Sequence, residues 1–230
     1  MVRDPIRWLA KRDAIPRPPE SREFVNDVLG QLIARRFSPA AWSTFLARSV
    51  DRSVDQLRQR PAATAELTAL HLLASAAGRW RWAMASWVLC ITHVGLLGER
   101  STLGWPNRLT LLRALLPALA PASRWPALVA LVTDFADGRL ARKGRESAFG
   151  AFADPIADGA FWSWFALRWE TDGWLRWVPT VMFAGTVGAI AAAYFVRGRT
   201  IDYPRPMALR YLSGATQIAL TLRALRWVVA

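Results

Sequence analysis

Four aspartates stand in apolar surroundings: two in Asp134-Phe-Ala-Asp137-Gly138-Arg-Leu-Ala141-Arg142, two in Gly150-Ala-Phe-Ala-Asp154-Pro-Ile-Ala-Asp158. An ionisable group within a membrane segment costs about 3 kcal/mol or more and usually faces the interior of a bundle. Asp134 and Asp137 are three residues apart, Asp154 and Asp158 four, so at about 100° per residue each pair shares one helix face. Two antiparallel helices joined by the loop over 143–149 would bring all four acids together. Carboxylates so crowded raise one another's pKa, and divalent metal relieves them. Mg²⁺ and Mn²⁺ prefer hard oxygen ligands, and a two-ion site bridges phosphate oxygens while leaving room for a nucleophile. Gly138 and Gly150 remove side chains where a ligand or neighbouring backbone must approach closely. Arg142 supplies a fixed charge for phosphate. The plainer alternative pairs each acid with an arginine at a helix end; four acids at this spacing, with both glycines, weigh against it.

The elements that carry these acids must reconcile oil with charge. Hydrophobic residues make up 53% of the 230, tryptophan occurs 13 times, and the formal charge is +13. A soluble globule would have to hide that apolar surface in one core, whereas apolar helices in lipid with arginines at an anionic surface satisfy both. Nucleic acid is not expected as a partner, because the arginines are scattered between apolar segments and no nucleic-acid module is present. Cys90 stands alone, which excludes an intrachain disulfide. The basic, proline-containing stretch 1–19 lacks the apolar core of a secretory signal.

An all-α fold follows: a polytopic membrane bundle of five to six transmembrane helices behind an amphipathic helical extension, with the division at residues 1–80 and 81–230. In the extension, Phe24, Val28, Leu29 and Leu32, then Trp42, Phe45, Leu46 and Val50, recur at helical spacing. Ser38-Pro39 suits the cap and first turn of the second helix. This region reads as a cap on the membrane surface or as an amphipathic extension without a role. Membrane spans are expected near 82–97, 109–122, 125–140, 150–169, 174–196 and 208–229. The basic stretches 139–145 and 197–210 belong on the cytoplasmic side. So does the basic N-terminus, which requires either that 82–97 lie in the interface or that 65–78 form a hairpin with it.

At these residues a resemblance becomes specific. The acid run is similar to D-x-x-D-G-x-x-A-R, spacer, G-x-x-x-D-x-x-x-D, the signature of the CDP-alcohol phosphotransferase family, with a spacer one residue shorter than its commonest form. Upstream, Pro106-Asn107-Arg108-Leu109-Thr110-Leu111-Leu112-Arg113 resembles the P-N-x-L-T-x-x-R opening of that family's first core helix. The resemblance implies attack of an acceptor hydroxyl on a CDP-linked lipid donor with release of CMP. It implies that Asp134, Asp137, Asp154 and Asp158 hold two Mg²⁺ or Mn²⁺ ions and that Asp158 is the general base. Asn107, Gly138 and Ala141 would line the nucleotide pocket, joined by Thr110 and Arg113; for Arg113 a structural role at a helix end is the alternative. It further implies homodimerisation. An integral protein of the plasma (inner) membrane, its site facing the cytoplasm, is expected.

The acceptor is an alcohol, a phosphorylated one if Arg139, Arg145, Arg197, Arg199, Arg205 and Arg210 line the mouth rather than contact lipid headgroups. His71 and His93 read as packing residues, Trp162, Trp164, Trp169, Trp174 and Trp177 as an interfacial belt, and Gly185 and Gly188 as close-packing positions. Two other readings compete. Intramembrane prenyltransferases also use aspartate pairs and magnesium, but their motifs lie far apart in sequence. A membrane scaffold or cation-binding protein with a dead site would not be expected to keep all four acids.

Overall fold

Proline and serine set most helix starts. In the computed structural model, which describes residues 19–143, 147–200 and 207–229 and the side chains of 20–136, 147–200 and 207–226, all regular structure is helical. Helix α1 spans Pro19–Ala34, α2 Pro39–Gln59, α3 Pro61–Ala76 and α4 Trp80–Ile91. A 3₁₀ turn over Val94–Leu97 leads to α5 (Gly104–Leu119), α6 (Pro126–Lys143), α7 (Ala148–Trp169), α8 (Gly173–Arg197) and α9 (Met207–Val229). Ser38 caps α2 as expected, its hydroxyl accepting from Ala41 N at 3.3 Å with Pro39 in the first turn. Pro61 and Pro126 open their helices, where a missing N–H is harmless. Pro179 lies inside α8.

Of the two arrangements that charge left open around 65–97, the hairpin is the one formed. Helices α3 and α4 form an antiparallel hairpin across a turn at Gly78, whose φ of +114° suits only glycine. The pair is stitched by His71 Nε2 to Ser86 Oγ (3.0 Å) and by Trp87 Nε1 donating to Thr68 Oγ1 (3.1 Å). Four helices, α3 to α6, therefore lie between α2 and α7 in the chain, and the end of α2 and the start of α7 meet at one end of the bundle. That end gathers the starts of α5 and α7: Ala63, Leu67, Val94, Leu97, Leu103, Leu111, Phe149 and Ala153 form one core. The opposite end is a second core of Leu116, Ala127, Ala130, Phe161, Trp162, Phe165, Leu175, Leu220 and Ala224.

Helix α8 is long and apolar enough to cross a membrane, with a mean hydropathy of 1.6 in its best window. No other described helix meets that measure, because the rest are shorter or interrupted by charged and polar residues. Two packing expectations need correction. Trp162, Trp164 and Trp169 turn into the second core, so of the expected aromatic belt only Trp174 and Trp177 stand exposed. Gly185 and Gly188 are not packing positions within this chain, since a Cβ at either would meet nothing within 4 Å.

Candidate metal and phosphate site

The site is assembled on three helices. Helix α5 buries Asn107, Thr110, Leu111 and Arg113 along one face, at the spacing of a helical stripe. Its start is fixed from the upstream hairpin: Glu66 on α3 accepts from Leu103 N at 2.9 Å and also binds the Arg108 guanidinium. Arg108 lies over the Trp105 ring, 4.9 Å from its centroid. Helix α7 begins at Ser147, whose hydroxyl accepts from Gly150 N at 3.0 Å and donates to Asn107 Oδ1 at 3.2 Å. Asn107 Nδ2 in turn donates to the Leu103 carbonyl at 2.6 Å. A Cβ on Gly150 would lie 2.8 Å from Asn107 Oδ1. A close approach at Gly150 is present, but what approaches is the Asn107 side chain and not the ligand or backbone expected there.

Asp134, Asp154 and Asp158 converge as the spacing predicts, each offering a carboxylate oxygen within 4.8 Å of the others. Their common partner is Arg113, fully buried, whose Nη1 lies 3.4 Å from Asp134 Oδ1 and 2.9 Å from Asp154 Oδ1 and also contacts Asp158 Oδ1. Arg113 sits in the middle of α5 and not at its end, which removes the helix-end role. Asp158 lies deepest, with 17% of its side chain exposed, against 36% for Asp134 and 41% for Asp154. The cluster therefore opens to a ligand on the Asp134 and Asp154 side.

Among the described residues three carboxylates meet one guanidinium, an arrangement short of positive charge that a divalent cation would balance. The donors are all hard oxygens from rigid helices, the set that magnesium and manganese take. These residues fit such an ion. Asp137, Gly138, Ala141 and Arg142 fall on the last turns of α6, and their side chains lie outside the described residues. Residues 144–146 and 201–206 also lie outside them, and with them Arg145 and Arg205 of the basic mouth. Sequence reasoning missed Ser147 and Glu66. A serine three residues before Gly150 is a cap signal that was open to reading. Glu66 had none, because its partners stand 37 and 42 residues along the chain.

Carboxylates from two helices of the bundle, closing on a buried guanidinium, form a group that could hold a metal ion. The chain belongs to the CDP-alcohol phosphatidyltransferase family, whose model matches residues 103–229, from the residue before α5 to the end of α9. Neither a curated protein nor a solved structure matches it. Membership supports transfer of a phosphatidyl group from a CDP-linked donor to an alcohol, and the family is known for divalent metal use.

Proposed function

We propose that this chain is an integral membrane transferase of phospholipid synthesis, moving a phosphatidyl group from CDP-diacylglycerol to an alcohol and releasing CMP. The observation that carries the reading is the meeting of Asp134, Asp154 and Asp158 on Arg113 inside the segment the family model covers. Asp134, Asp137, Asp154 and Asp158 would hold Mg²⁺ or Mn²⁺. Bound there, the metal offsets charge on the diphosphate as the phosphorus–oxygen bond to CMP breaks.

The chain's own groups do the rest. Asn107, held by Ser147 and Leu103, borders the nucleotide with Thr110, Gly138, Ala141 and Gly150, where small side chains admit the cytidine diphosphate. Arg113 and Arg142 carry fixed positive charge beside the phosphates. The acceptor oxygen bonds to the donor's β-phosphorus, its proton passes to Asp158, and CMP departs with the electron pair of the broken bond. Asp158 is assigned as the base from its place at the far end of the family motif, and its carboxylate stands with those of Asp134 and Asp154 around Arg113.

The membrane part of the reading rests on α8 and on the alternation of helices between two ends of the bundle. With α3 and α4 paired, the end of α6 and the end of α8, which lead into the two basic stretches, fall at the end of the bundle where α7 starts, and the positive-inside rule makes that end cytoplasmic. Exposed small residues on α8, Gly185, Gly188 and Ala189, offer a face for a second copy. The test is CMP release by the purified protein in detergent with CDP-diacylglycerol, Mn²⁺ and a panel of free and phosphorylated alcohols. Release that depends on one acceptor and disappears in Asp158→Asn supports the reading. Release from no acceptor, with no metal-dependent binding of CDP-diacylglycerol, overturns it.

A further inference from the structure

Helix α2 leaves an apolar stripe uncovered. Trp42, Leu46, Val50 and Val54 recur every fourth residue, and Leu46 and Val50 are 58% and 59% exposed. The opposite side of α2 is occupied: Arg48 pairs with Asp27 on α1 at 2.7 Å, and Arg48 and Arg52 lie over the Phe24 ring. At its start the stripe joins an aromatic cluster that bridges to the end of α8: Phe37 and Trp42 lie 6.0 and 6.3 Å from Phe195, ring centre to ring centre. Beside this cluster Val196 is 83% exposed, and Arg35, Arg36, Arg197 and Arg199 are exposed around it. The far end of α2 is tied to the start of the catalytic core, where Leu57 packs against the cluster of Leu67, Val94 and Leu103.

We propose that α2 lies in the surface of an anionic bilayer, its stripe sunk among the upper acyl chains and the Arg35–Arg36 and Arg197–Arg199 pairs on lipid phosphates. The inference rests on the membrane reading above. Three features select lipid over other occupants. The stripe is continuous with the end of α8, the one helix among the described residues that is apolar enough to span. Aromatic rings at that junction are the residues that settle at headgroup level, and arginines beside them complement anionic lipid. Held at both ends, α2 would run about 30 Å along the surface from the foot of α8 to the turn before α5. The upstream helices thereby fix the height of the acid cluster relative to the headgroups that carry its substrate.

The experiment uses the full chain with Cys90→Ala, reconstituted in vesicles of phosphatidylcholine and phosphatidylglycerol. An environment-sensitive fluorophore is placed singly at Leu46→Cys, Val50→Cys, Val187→Cys on the exposed side of α8, and Glu23→Cys on α1. Quenching by brominated lipid is compared with quenching by aqueous iodide. Leu46 and Val50 are expected to follow Val187, with lipid quenching at least twofold above that at Glu23 and iodide quenching at least twofold below it. Removing phosphatidylglycerol, or the pair Arg35→Gln and Arg36→Gln, should lower lipid quenching at Leu46 and leave Val187 unchanged. Iodide quenching at Leu46 and Val50 equal to that at Glu23, with Val187 still lipid-quenched, overturns the proposal and leaves the membrane reading standing. Protection from both quenchers marks a protein contact and also overturns it. Iodide quenching at Val187 itself defeats the membrane reading and this proposal with it.

Discussion

Replacing Arg113 with methionine removes the only positive charge among the described residues that touches all three carboxylates, while keeping most of the side chain's volume. Taking one partner from a buried ion pair costs about 3–5 kcal/mol, because the other charge is left uncompensated. Asp134 and Asp154 are 36% and 41% exposed, so water still reaches them, and the lower bound of about 3 kcal/mol applies. In a chain of this length 1 kcal/mol moves Tm by about 2–4 °C, which gives a fall of about 6–12 °C. The assay is thermal unfolding in detergent, in EDTA and in Mn²⁺, of wild type, Arg113→Met and Arg113→Lys. In EDTA the methionine variant should unfold lower by that amount, and lysine should recover part of it through its charge. Mn²⁺ should close at least half of the gap, because the cation neutralises the same carboxylates. An Arg113→Met protein as stable as wild type in EDTA, or a gap indifferent to Mn²⁺, would refute the charge balance described for the site.

Gly150→Ala places a methyl group against Asn107 Oδ1, 2.8 Å away, and should raise KM for the CDP-linked donor about tenfold, the equivalent of one hydrogen bond. Steady-state CMP release measures it, with Gly30→Ala on α1, which meets open space, as the silent control. Glu66→Ala withdraws the acceptor of Leu103 N and the partner of Arg108, and should cost about 1–3 kcal/mol of stability in thermal unfolding. Glu66→Gln keeps an acceptor for Leu103 N and should lose less than half as much. At Gly159 a Cβ would stand 2.1 Å from the Phe183 ring, so Gly159→Ala should cost about 1–3 kcal/mol and Phe183→Ala in the same chain should recover part of it.

The acid cluster was legible because spacing on a helix fixes which residues share a face, and a short connection fixes which helices neighbour one another. Asp134, Asp154 and Asp158 needed nothing more. The same logic gave the bounds of α6 to α9 to within a few residues, since long apolar runs between charged turns leave little freedom. It did not give the partner of a side chain. Arg113 could be placed on α5 from its motif, but its reach into the carboxylates depends on how α5, α6 and α7 pack. Trp162 misled for a related reason: an aromatic near a turn is apolar on either account, and only packing shows that it faces Phe161 and Phe165 rather than lipid. The hairpin of α3 and α4 stayed undecided because its helices, 16 and 12 residues long, fall below the length that identifies a span from hydropathy.

The central claim is that this aspartate cluster uses a divalent cation to break a CDP-linked diphosphate. The most direct measurement is acceptor-dependent CMP release titrated with free Mn²⁺, for wild type and for Asp154→Asn. The account predicts no release in EDTA, a saturable rise with Mn²⁺ in the wild type, and none at any concentration in the variant. Release at the full rate in EDTA, or a titration unchanged by Asp154→Asn, would contradict it.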